Sequence, residues 1–203
     1  MFGGPPVRPS VLVSGLALTI VGPVVEGRVT LRHAPPTTGE WAVLGLLVEG
    51  PAHGFALAKQ LQPDGSVGRV WSLRTPLVYR AIQNLTQKGL VEIQGEERSD
   101  IGPQRRLVAI TERGRTLVED WLRQPVAHTR EVRSALMLKL ALADHLGRDA
   151  RPLLDAQRDR LHPQLEGLEQ RLHAADGFDR VLILWRVEAV RSVLRFLDEV
   201  ALP

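Results

Sequence analysis

Apolar positions recur at helical spacing through most of this chain and switch to strict alternation in one short stretch. Glu40–Val48 is almost wholly apolar and is followed by Glu49-Gly50-Pro51, which predicts a short buried helix with a firm stop. Gly54–Leu61 predicts a second short helix, with Phe55, Leu57, Ala58 and Leu61 turned inward. A turn-rich link, Gln62–Arg74, leads to Thr75-Pro76, a helix start in which Thr caps the free amides and Pro takes the first helical position. This third helix runs through Lys88 and ends at Gly89, the residue that most easily takes the left-handed C-terminal conformation. Val78, Ala81, Ile82 and Leu85 make its inward stripe. Leu90–Gln94 alternates as a strand, Gly95–Gln104 follows as a charged loop, Arg105–Ile110 returns as a second strand, and Thr111 caps a fourth helix through Leu122.

Beyond residue 125 the pattern is helical throughout, at about Arg130–Leu146, Ala150–Ala174 and Gly177–Val200. Leu154, Leu161 and Leu168 keep a seven-residue interval, interleaved with Leu165 and Leu172, which is a coiled-coil seam with Arg158 and Ala175 at two of its positions. Pro163 falls inside this stretch and predicts a local kink or break, since it removes a backbone donor. The last helix is apolar on two sides. Phe178, Leu182, Trp185, Ala189 and Phe196 form one row; Ile183, Val187, Val190, Leu194 and Leu197 form the other. A helix buried on two faces in so small a region needs a second surface, and the natural supplier is another copy of the chain across a two-fold axis. Leu154, Leu161, Leu165, Leu168, Leu172, Trp185, Ala189 and Phe196 are therefore the candidate dimerisation residues. The competing reading is a large contact with the amino-terminal helices.

These elements predict a mostly α fold with a small β wing. Residues 39–125 read as a winged helix-turn-helix domain, residues 126–203 as a helical, coiled-coil dimerisation domain, and residues 1–38 as a poorly structured extension. The extension is apolar at Val11–Val25 but broken by Ser14, Gly15, Gly22 and Pro23, which makes it too short and interrupted for a membrane span. A small hairpin and a targeting segment stay open as readings of it, and it receives no function.

Composition narrows the chemistry. The 203 residues are 44% apolar, enough for a real core, and include no Cys, which excludes disulfides, Cys-based zinc sites and thiol catalysis. Net charge is only +3, and no basic tail or block exists, so affinity for nucleic acid has to come from local arrangement. The six His residues include no i,i+4 pair and no His-Glu-x-x-His motif. Nucleophile elbow, phosphate loop and Gly-x-Gly-x-x-Gly are all missing from the sequence. The chain is thus expected not to be an enzyme, and no cofactor, metal or membrane is expected.

The third helix supplies the chemistry instead. Tyr79, Arg80, Gln83, Asn84 and Gln87 fall largely opposite its apolar stripe, and that side carries no acid. Arg suits guanine, and Asn or Gln suits adenine, so this face can read base edges and hold phosphates of double-stranded DNA. Thr75 at the helix start, Lys59 on the second helix, and Arg98, Arg105 and Arg106 in the wing complete the candidate DNA-binding set. Arg105 and Arg106 are neighbours on one strand and point to opposite faces, so only one of them is expected at a phosphate. Glu96, Glu97 and Asp100 in the wing oppose DNA unless these arginines face it. His53, before Gly54, reads as a turn histidine.

Leu44-Gly45-Leu46-Leu47 followed by Glu49-Gly50-Pro51-Ala52-His53-Gly54-Phe55-Ala56-Leu57 resembles the opening motif of the PadR-like transcriptional regulators, with Phe55 where the family usually has Tyr. Thr75-Pro76 through Tyr79-Arg80-Ala81, then Lys88-Gly89-Leu90-Val91, is similar to that family's recognition helix and its exit into the wing. Gly102-Pro103-Gln104-Arg105-Arg106, Ile110-Thr111 and Trp121-Leu122 continue the likeness to about residue 125. The resemblance implies a cytoplasmic, nucleoid-associated homodimeric repressor on an inverted-repeat operator, released by a small-molecule effector. The rival is a winged-helix adaptor that binds proteins and no longer reads DNA. Trp121 and Trp185 are candidate walls for a planar ligand, against the commoner role of core tryptophans.

Overall fold

The structure, a computed structural model, describes residues 34–97 and 105–200, with the side chains of residues 96, 97 and 105 left aside. The readings of residues 1–33, of Arg98 and of the Arg105 side chain lie outside the described residues.

Helix α1 (Thr38–Leu46) starts two residues earlier than its apolar run suggests. Thr37 and Glu40 form a reciprocal capping box: the Glu40 amide donates to Thr37 Oγ1 at 3.3 Å, and the Thr37 amide to Glu40 Oε2 at 2.9 Å. From Glu40 onward α1 is buried on all sides, as an all-round apolar helix must be. The two-residue strand β1 (Ala52–His53) then leads into α2 (Gly54–Gln60), whose Leu57 and Ala58, with Leu61 beyond its end, reach the core. Phe55 does not, being 73% exposed. Two residues before Leu57 it stands some 200° around the helix from it, so the inward expectation for Phe55 fails on helical geometry.

Helix α3 (Thr75–Gln87) has Arg74 as its extended N-cap, with no side-chain cap bond. Thr75 is thus already inside the first turn and does not cap. At the far end Gly89 takes φ +67°, and the Leu90 amide closes the turn onto the Leu85 carbonyl at 2.9 Å, as expected for a glycine-terminated helix. Strands β2 (Val91–Glu97) and β3 (Arg105–Ile110) pair antiparallel, and β1 joins the other edge of β3 to give the order β1-β3-β2. The register shifts between Ile93 and Gly95, a bulge on β2. Helix α4 (Glu112–Arg123) is capped by Thr111, which accepts from the Gly114 amide at 3.1 Å and donates to the Gly89 carbonyl at 2.9 Å. One hydroxyl therefore joins the start of α4 to the end of α3. These helices and strands are a winged helix-turn-helix.

The expected helix at about 130–146 is three pieces: a 3-10 turn (Thr129–Glu131), a wide turn (Val132–Leu136) and α5 (Met137–His145). Leu138 and Leu142 of α5 enter the first core, beyond residue 125, with Leu142 so close to Gly45 that a Cβ there would lie 2.5 Å from its Cδ1. Helix α6 (Arg151–Ala174) runs without a break through Pro163, and α7 (Gly177–Val200) returns alongside it. Ion pairs from Arg158 to Asp198 (3.0 Å) and from Arg191 to Glu169 (2.7 Å) bridge the two antiparallel helices. Their apolar faces form a second core with Val126 and Leu136. Gln157, fully buried, accepts from the Val126 amide (2.7 Å) and donates to its carbonyl (3.2 Å), satisfying both backbone groups where that segment enters the core.

Candidate nucleic-acid interface

Burial divides α3 as its sequence pattern predicts. Val78, Ala81, Ile82 and Leu85 are at most 8% exposed, while Thr75, Tyr79, Arg80, Gln83 and Gln87 are exposed. Tyr79 is 51% exposed and its ring lies over Gly54 of α2, where any Cβ would stand 2.7 Å from Tyr79 Cε1. The absence of a side chain at Gly54 thus lets the two helices approach and seats the ring. Lys59 is exposed on α2. On the wing, Arg106 is exposed and stands opposite Glu96 in register, and Arg105 opposite Glu97. His53 Nδ1 lies 3.4 Å from the Arg106 carbonyl, which ties the turn before α2 to β3.

Asn84 departs from this outward set. It is half-buried, and its Nδ2 donates to Glu40 Oε1 at 3.0 Å. Lys88 reaches the same carboxylate, Nζ to Oε2 at 2.7 Å. Glu40 is 2% exposed. Burial is the largest influence on its carboxyl and pushes the pKa up, but Lys88, the Thr37 amide and Asn84 together outweigh it and hold the pKa below the usual value. Glu40 is the residue that reading the sequence missed at this site. Its signal was present as Thr37-x-x-Glu40 ahead of an apolar run, a capping-box pattern.

The candidate dimerisation residues separate into two groups. Leu154 (3% exposed) and Leu161 (1%) are enclosed within the chain, because the α7 row containing Val190, Leu194 and Leu197 already fills that part of the seam. Leu165, Leu168 and Leu172 are half-buried, as are Ala189 and Phe196. Trp185 is 71% and Phe178 78% exposed, so the other row of α7 lies open at these positions. Trp121 cannot offer a free ring wall. It stacks on Trp41 with centroids 4.6 Å apart, and Lys139 Nζ sits 4.7 Å from its ring centre. Among the described residues no cluster of His, Asp or Glu could hold a metal ion, and no helix is long and apolar enough to cross a membrane.

Residues 43–120, from α1 through most of α4, match the family model described as "Transcriptional regulator PadR-like family". Over this stretch the chain is similar to that family. Solved structures similar to this chain include Bacillus subtilis PadR in complex with operator DNA, at 22% identity over 79% of this chain and 95% of that one, with a TM-score of 0.39. The smu.1604c protein of Streptococcus mutans UA159 is 18% identical over 80% of this chain and 98% of its own, with a TM-score of 0.40. Bacillus subtilis PadR in complex with p-coumaric acid is 21% identical over 83% and 96%, with a TM-score of 0.37. No curated protein matches the chain. Within residues 43–120, Thr75, Tyr79, Arg80, Gln83 and Gln87 converge on one outward surface of α3.

Proposed function

We propose that the chain is a sequence-specific DNA-binding transcriptional regulator, a homodimeric repressor that acts on an inverted-repeat operator in the cytoplasm. The observation that carries this reading is the face of α3: Tyr79, Arg80 and Gln83 are exposed together on a helix whose sequence holds no acid. In a winged helix-turn-helix such a helix enters the major groove, where Arg and Gln form paired hydrogen bonds to base edges and a Tyr hydroxyl reaches phosphate. Lys59, Arg98 and one of the two neighbouring wing arginines, Arg105 or Arg106, supply flanking positive charge for the backbone.

Residues 39–125 read the DNA in this proposal and residues 126–203 join two copies through the open row of α7. A two-fold axis then sets two α3 helices in successive major grooves, about 34–36 Å apart, which makes the operator an inverted repeat. Release by a small-molecule effector rests on the resemblance to the PadR-like family alone.

The test is a mobility-shift titration with duplex DNA at low and at high salt. Binding whose log affinity falls steeply with log salt supports the regulator, because phosphate contacts release counterions. Failure to bind any duplex at low salt sinks it and favours a protein-binding adaptor.

A further inference from the structure

We propose that Glu40 is a positioning residue for DNA reading: its buried carboxylate, gripped by Asn84 and Lys88, fixes the rotation of α3 about its own axis. This deepens the DNA-reading proposal and rests on it. Both oxygens of Glu40 are engaged, Oε1 by Asn84 (3.0 Å) and Oε2 by Lys88 (2.7 Å) and the Thr37 amide (2.9 Å). Asn84 and Lys88 lie four residues apart, one turn of α3, so the two bonds grip one side of its C-terminal half. The anchor itself cannot move easily, since α1 is enclosed in the first core from Glu40 to Leu46. The same end of α3 is tied from α4, where Thr111 Oγ1 donates to the Gly89 carbonyl (2.9 Å) and Arg113 Nη1 to the Lys88 carbonyl (3.3 Å).

Apolar packing does not supply this constraint. Burial is non-directional, and a stripe of Val78, Ala81, Ile82 and Leu85 tolerates small rotations without losing much contact area. Hydrogen bonds are directional and weaken steeply away from linearity. Rotation of α3 by about 10° carries a side-chain tip at the helix's outer radius about 1 Å sideways. That displacement lies outside the range over which Arg80 and Gln83 can keep paired bonds to a base. It leaves flexible phosphate contacts largely intact. Asn84, by sequence a base reader, thus works from behind the reading face.

The experiment compares Glu40→Gln and Lys88→Met with the wild type, each titrated by fluorescence anisotropy against two duplexes. One duplex is selected by the wild-type chain from a random-sequence pool; the other is its scrambled counterpart of equal length. Thermal unfolding of each variant runs alongside. We expect both variants to lose roughly ten-fold in affinity for the selected duplex, with affinity for the scrambled one and its salt slope unchanged. The double variant should lose no more than the worse single one, since both act through one link. Retained discrimination, even with a lowered Tm, makes Glu40 a stability residue and overturns the proposal. If Lys88→Met instead weakens both duplexes and reduces the salt slope by about one, Lys88 is a phosphate contact and the proposal is also overturned. Should Glu40→Gln not fold, Lys88→Met alone decides. A wild-type chain that enriches no duplex from the pool overturns the DNA-reading proposal and this one together, whereas a discriminating wild type with equally discriminating variants overturns only this one.

Discussion

Lys139 is a buried cation, and its replacement by methionine gives a prediction with a worked sign and size. The residue is 3% exposed; its ammonium donates to the Gln124 carbonyl at the end of α4 and stands 4.7 Å over the Trp121 ring. Burial lowers its pKa from 10.5 to about 8, against the opposing pull of Glu131. In the unfolded chain the lysine keeps its proton up to about pH 10.5, whereas the folded chain releases it near pH 8. Between those values the unfolded state binds more protons, so the contribution of Lys139 to stability rises with pH across the window. Below pH 8 its cost is present in full. At about 1.4 kcal/mol per pH unit, the whole window is worth about 3 kcal/mol.

Lys139→Met has no such titration. Urea unfolding followed by tryptophan fluorescence, repeated from neutral pH to pH 10.5, should show the wild type gaining about 3 kcal/mol on the variant across that window. Groups elsewhere in the chain titrate alike in both proteins and drop out of the difference. Near pH 7 the two should be close in stability: loss of a charge-assisted hydrogen bond, about 1.5–3 kcal/mol, offsets relief of a desolvation cost of similar size. A wild-type-minus-variant difference that stays flat with pH refutes the reasoning, and means that water or a rearranged carboxylate solvates the ammonium.

Other expectations follow from the two faces described above. Arg80→Ala and Gln83→Ala should each weaken binding to a duplex selected by the wild type by about 1–3 kcal/mol and relax its base preference, read by anisotropy titration. Wild-type affinity in both would mean that α3 does not lie against bases. Trp185→Glu places a charge in the open row of α7 and should yield monomers on size-exclusion chromatography; a persistent dimer moves the interface elsewhere. Leu161→Ala, by contrast, should lower unfolding stability by about 2–5 kcal/mol, because that side chain is 1% exposed within the single chain.

Much of the amino-terminal architecture is legible because its signals are local. Gly89 has to end α3, Thr111 has to start α4, and the strand read at Arg105–Ile110, bounded by the loop before it and the cap after it, is β3. The misses have physical causes of their own. A strand of two residues, Ala52–His53, is too short to show alternation, and its pairing to Val108 and Leu107 is set by the fold. Phe55 is apolar, yet the second helix has room in the core only for the face of Leu57, Ala58 and Leu61. Asn84 lies on the polar side of α3, and no pattern within α3 reveals that a buried acid forty-four residues earlier waits for it.

The carboxy-terminal helices show the same limit in another form. A seven-residue leucine repeat says that a seam exists, not which helix fills it. In α6 the early part of the seam, Leu154 and Leu161, is filled by α7 of the same chain, which leaves no surface there for a partner. The two-sided apolar pattern of α7 then takes on a definite meaning. Its row of Ile183, Val187, Val190, Leu194 and Leu197 is consumed by intrachain packing, each residue at most 8% exposed. The other row retains Phe178 and Trp185 in solvent, large side chains whose exposure is unfavourable by roughly 25 cal/mol for every Å² left wet. If two copies associate, the contact should therefore centre on that row of α7, with the half-buried Leu165, Leu168 and Leu172 of α6 at its margin, and not on the leucines that open the repeat. Trp185→Glu and Leu161→Ala separate these possibilities, since one should change mass in solution and the other stability.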